Sequence, residues 1–187
     1  MTVVNVGLAS WIIQDGNYGE FQAGGEYTFA LEFYPHELEP TAETVDGVSF
    51  HLVAGADHWV RGNVVYASSS SWVVDFGVLT FQEEVPPSWA VESQAIAGRI
   101  YVGIDPFFYM ERLKDEPGMP YLFRRWRVQR ILLETTPWIE STTEGGGTLI
   151  QRANTTPSFT EVPRTDSWKD DNGRAHYVLE CELRGDD

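Results

Sequence analysis

The chain has a single cysteine in 187 residues, Cys181, so it cannot form an internal disulfide, and it has no apolar run near the ~20 residues that a spanning helix needs. It opens Met1-Thr2-Val3-Val4-Asn5, without a basic segment leading into an apolar one. Together these point to a reducing, cytoplasmic setting. Positive charge is scarce: 13 Lys and Arg stand against 28 Asp and Glu, a formal −15. Anionic lipid and phosphate backbones repel such a chain, which excludes membrane and generic nucleic-acid partners from the expectation. The four histidines, His36, His51, His58 and His176, stand at no zinc-type spacing with each other or with Cys181, and no metal or cofactor is expected. The best metal grouping, His36 or Glu37 with Asp57 and His58, needs one loop to fold over the next hairpin. Asp170-Asp171-Asn172-Gly173 lacks the alternating ligands of a calcium loop and reads as a turn. Gly145-Gly146-Gly147 has no Lys-Ser/Thr successor, and no Gly-x-Ser-x-Gly elbow occurs.

What is plentiful is apolar and aromatic: 42% of the residues are hydrophobic and 13% aromatic, enough for one folded domain over 1–187 despite the charge. Alternation with period two recurs at Tyr27–Tyr34, Val48–Val53, Trp59–Ala67, Ile100–Ile104 and Tyr177–Leu183, with a β-rich Val3–Ile13 and an apolar Trp72–Leu79 whose Gly77 marks a bulge or close approach. Pro35 is expected to stop the strand before it, leaving His36–Thr44 as an acidic loop. Phe107–Leu113 is expected to form a helical turn or aromatic lid, and 135–173, rich in Thr, Ser, Pro and Gly, to be mostly loop. About eight or nine strands and no long helix predict an all-β antiparallel barrel or sandwich, with a preference for a barrel on an oligonucleotide/oligosaccharide-binding-like core. Ser10-Trp11-Ile12-Ile13 and Ser71-Trp72-Val73-Val74 form a weak internal echo.

The clearest late strand signal is Tyr121–Glu134, where Trp126 and Val128 share one face and Arg125, Arg127 and Gln129 the other. The alternation slips at Ile131-Leu132-Leu133, which predicts either burial on both faces or a bulge. From Arg112 to Arg130 six bases oppose only Asp115 and Glu116, a local +4 that leaves −19 on the rest of the chain. These arginines are expected to pair with carboxylates on neighbouring strands, with Glu32, Glu180 and Glu182 as candidates. The competing reading is an anion site at Arg124, Arg125, Arg127 or Arg130, since the guanidinium fork suits carboxylate and phosphate.

Other candidates follow from residue type. Asp75 and Asp105 lie in or at the end of apolar strands, where burial raises a carboxyl pKa and prepares a general acid, so they are the catalytic candidates, although capping a turn is the commoner role. Trp11, Trp59, Trp72 and Trp126 are expected in the core, and Trp89, Trp138 and Trp168 in loops, free for a ligand or partner. The functional expectation is a non-enzymatic acidic domain that binds a basic protein, in the manner of an inhibitor or immunity protein. A barrel holding a small, anionic ligand is the alternative, and a hydrolase the third.

Overall fold

The computed structural model describes residues 2–42, 47–142 and 148–185, and among them the chain forms thirteen strands. They are β1 (Val3–Ala9), β2 (Glu26–Phe29), β3 (Leu31–Pro40), β4 (Ser49–Ala54), β5 (Asp57–Ala67), β6 (Trp72–Asp75), β7 (Leu79–Gln82), β8 (Ala95–Ile104), β9 (Arg124–Glu134), β10 (Trp138–Thr142), β11 (Thr148–Arg152), β12 (Phe159–Val162) and β13 (His176–Leu183). The all-β expectation holds, with more strands than the eight or nine read from the alternation.

Five strands close into a barrel in the order β3-β7-β6-β5-β8 and back to β3. The meander β5-β6-β7 is antiparallel, and closure comes from antiparallel β3–β8 and β5–β8 ladders with one parallel bridge, Glu32 to Phe81. A second sheet continues from β8 through a parallel bridge between Gly7 and Gly103 into β1, then β13, then β9, whose far edge carries β2 at one end and β12 at the other. One apolar core serves both parts, with Phe33, Val60, Trp72 and Ile100 on the barrel side and Val6, Trp126, Ile131 and Leu179 on the sheet side. Full burial of side chains this large contributes roughly 1.5–3 kcal/mol each. A smaller cluster built on Tyr66, Phe81, Tyr109 and Leu113 lies under the helical turn Tyr109–Leu113, at the place where a turn or lid was expected.

Several local readings are corrected by pairings between distant segments. Val3–Ile13 is not one strand. It ends at Ala9 and becomes a short helix, α1 (Ser10–Gln14), because Ser10 N–H is taken by Ala175 O and Ser10 Oγ donates to Gly173 O. Ser10–Ile13 is therefore helical where Ser71–Val74 is extended, so the echo joins unlike structures. Tyr27–Tyr34 breaks at Ala30, before which the chain pairs with β9 and after which it pairs with β8. Pro35 does not stop β3. It sits at a bulge, paired to Ile100 on one edge, and the other edge meets β7 only at Glu32, so its missing N–H costs no ladder bond. The strand runs on to Pro40, so the acidic loop is confined to its end, and Glu43 and Thr44 lie outside the described residues. Trp72–Leu79 is two strands joined at Gly77, whose φ of 103° reverses the chain. The segment 135–173 carries the β10–β11 hairpin and β12. Trp11 and Trp59 are half-exposed, whereas Trp72 and Trp126 are buried as expected.

Candidate functional site: a cleft between barrel and sheet

The outer side of β8 organises the site, because period-two spacing puts Arg99 and Tyr101 on one face. Register does the rest: Tyr101 lies opposite Asp57 on β5 and Tyr34 on β3, and Arg99 is the next outward residue along β8. The bulge in β3 between Pro35 and Glu37 frees His36, and its Nε2 reaches Asp57 Oδ1 at 2.9 Å. Arg99 Nη2 donates to Asp57 Oδ2 at 2.5 Å. Burial is the largest influence on the Asp57 carboxyl and raises its pKa, but the bonds from Arg99 and His36 outweigh it and hold the group below the usual carboxylate range.

Tyr101 lies across Gly7 of β1, where a methyl group would overlap its hydroxyl and ring. Beyond Gly7, His176 and Val178 of β13 and Glu134 at the end of β9 continue the surface. The β4–β5 turn folds over it, tied by Asn5 Nδ2 donating to Gly55 O at 3.1 Å, with Gly55 at φ 56°. This cover leaves Val178 5% exposed although its position in β13 points outward. Between the turn, Tyr101 and Phe159 of β12 lies a cavity of about 270 Å³. Burial pushes the Tyr101 hydroxyl up to about 12, with Asp57 and Glu134 adding to the effect, so both carboxylates act on this hydroxyl.

Glu134 also borders a second cavity of about 330 Å³, formed with Trp138, Arg152 and Asp171. There Arg152 Nη2 donates to Asp171 Oδ2 at 2.6 Å and Nη1 to Thr136 O at 2.6 Å, and its Nε stands 3.9 Å from Glu134. Trp138 Nε1 donates to Asp171 at 2.6 Å while Arg152 lies over its ring at 4.0 Å. Among the described residues no group of three or more His, Cys, Asp or Glu is placed to hold a metal ion.

Arg125, Arg127 and Arg130 of β9 lie on the outer face of the second sheet, whereas Arg124 shares a face with the buried Trp126 and Val128. Arg130 donates to Glu161 at 2.8 Å and lies 3.7 Å from Glu180, Arg125 lies 3.9 Å from Glu26, and Arg127 is opposite Glu26 on one side and Glu182 on the other. Arg124 donates to Phe123 O and lies over the Tyr121 ring. The slip in alternation is a bulge at Gln129, since Glu180 pairs with Arg130 and Cys181 with Val128. Asp75 accepts from Gly77 N at 2.8 Å, and Asp105 from Phe108 N at 2.7 Å and Tyr109 N at 3.2 Å, so each caps its own turn. Asp105 is fully buried, and burial pushes its carboxyl up to about 7 against the pull of those N–H groups. Trp89 packs edge-on against Trp72, Trp138 belongs to β10 within the second cavity, and Trp168 is 69% exposed.

Sequence reasoning named Asp57 and His36 only as metal candidates and assigned no site role to His176, Tyr101, Arg99 or Glu134. The lining residues come from β4, β5, β8, β9, β12 and β13, and no local spacing relates them. The available signal was Gly7 and Gly103 in apolar strands, each marking a close backbone approach beside an aromatic residue. No family model, curated protein or solved structure matches the chain.

Proposed function

We propose that this protein is a binding module that takes a small ligand in the cleft between the barrel and the second sheet. The observation that carries this reading is the convergence of Asp57, Arg99, Tyr101, Glu134 and His176 on one open cavity roofed by the β4–β5 turn. Small-molecule sites combine an apolar and aromatic lining with a few placed polar groups, and Phe159, Tyr101 and Val178 beside that polar set fit the description. Binding is favoured over turnover because Asp57 is engaged by two cationic or donor partners and so makes a poor general base. Thermal melts of the parent and of His176→Trp, an exposed rim position, against a small-molecule library test the reading. Compounds that raise the parent melting point and leave the variant unmoved support it; a library that stabilises neither, or both equally, contradicts it.

The outer edge of β4, which no other strand pairs among the described residues, favours a second reading, a protein-interaction module. This edge strand exposes Leu52 and Val53, each about half-accessible, beside Trp59 of β5, and an acidic chain of −15 speeds encounter with a basic partner. A Val53→Lys variant, which puts a positive charge on this edge, that leaves the melting point intact and abolishes co-purification of a basic protein distinguishes this reading from the cleft.

A further inference from the structure

Resting on the cleft as a binding site, we infer that its ligand is an uncharged polyhydroxylated ring, a saccharide, which reaches past Glu134 from the first cavity into the second. The charges in the cleft are already matched. Asp57 is taken by Arg99 and His36, and Glu134 shares Arg152 with Asp171. An anion entering the cleft meets an arginine committed to a carboxylate, and a cation meets a carboxylate committed to an arginine. Displacing either partner leaves a charge unpaired, which is costly in a partly buried site. A neutral ligand with many hydroxyls avoids this, because a carboxylate oxygen holding one charged donor still has lone pairs for a hydroxyl, and the Tyr101 hydroxyl, held protonated, both donates and accepts.

The apolar part of the lining suits the same chemistry. Tyr101 and Phe159 offer ring surface to the C–H face of a sugar, and the absence of a side chain at Gly7 sets the depth at which Tyr101 rests. The two cavities, about 270 and 330 Å³, share Glu134, so one carboxylate borders both and a two-ring ligand can contact it from either side. Arg152 and Arg174 both lie over the Trp138 ring, so the second cavity offers polar groups more than a free stacking face.

Isothermal titration of the intact chain tests this, using glucose, galactose, N-acetylglucosamine, maltose, lactose and chitobiose, with inorganic phosphate and ethylammonium as charged probes. The expected result is saturable binding of at least one saccharide, tighter for a disaccharide than for its monosaccharide, and weakened about tenfold in Tyr101→Ala and in Phe159→Ala, each first shown to be folded by circular dichroism. If phosphate or ethylammonium binds instead and the same variants abolish it, the saccharide assignment is overturned while the cleft stands as a binding site. Saccharide binding unchanged in both folded variants overturns the location. If no probe binds, the saccharide assignment fails, and the library melts with His176→Trp decide separately whether the cleft binds anything.

Discussion

Glu32 is buried on β3 and accepts a hydrogen bond of 2.5 Å from the Tyr34 hydroxyl. Burial pushes its carboxyl up to about 7, the Tyr34 bond opposes that, and Asp105 and Glu83 reinforce it. A carboxyl raised in the folded state binds its proton more tightly there than in the unfolded chain. Its contribution to stability is therefore complete below the unfolded value near 4.5 and is lost as pH rises through about 7. Glu32→Gln keeps an acceptor for Tyr34 and removes the titration, so the variant should melt above the parent at pH 8 and near it at pH 5. A shift of this size corresponds to about 3 kcal/mol at most, or several degrees in a chain of this length. Melts across that range check it; equal melting points at both pH values would show that Glu32 is ionised in the fold at no cost. Gly7 provides a second residue-scale prediction. Gly7→Ala should cost roughly 1–3 kcal/mol, the usual range for overpacking, by displacing Tyr101. It should also weaken any cleft ligand, which a denaturant melt and a titration of the same sample read together.

At the scale of elements, β9 shows what is legible in a sequence. Its alternation, the place where it slips and the apolar partners in β13 are local patterns, and the bulge at Gln129 lies two residues before the apolar run Ile131-Leu132-Leu133 that signals it. The exchange of partners at Ala30 and the helix at Ser10 were not legible, because segments far away in the chain supply the deciding bonds: β8 and β9 for Ala30, and Gly173 and Ala175 for Ser10. The cleft was hidden for the same reason, since Asp57, Tyr101, Glu134 and His176 meet only after the sheet has formed. The arginine face of β9 carries its own prediction. Glu26 is exposed, and Glu182, although buried, keeps the bonds it accepts from Gln129 and Arg184, so Arg125→Ala and Arg127→Ala should each lower stability by about 0–1 kcal/mol. Sulfate and phosphate should stabilise parent and variants alike. Variants that melt no lower than the parent and lose an anion-induced stabilisation would promote this face to an anion site.

For the whole molecule, a formal −15 implies self-repulsion in the compact state. Raising salt screens it, so the melting point should rise from low salt to ~0.5 M, where the Debye length falls to a few ångströms. A falling melting point would mean that pairs such as Arg130 with Glu161 outweigh the repulsion. The barrel and second sheet share one core, and the cleft lies along their outer junction, roofed by a turn of the barrel and floored by the sheet. Amide-resolved NMR, with the saccharide panel added to the intact chain, tests this arrangement most directly. The account predicts that the amides of Gly55, Asp57, Tyr101, Phe159 and Val178 shift together and saturate at one concentration. Shifts confined to the β4 edge at Leu52 and Val53, or to the Arg125–Arg130 face, with the cleft amides unmoved, would contradict it.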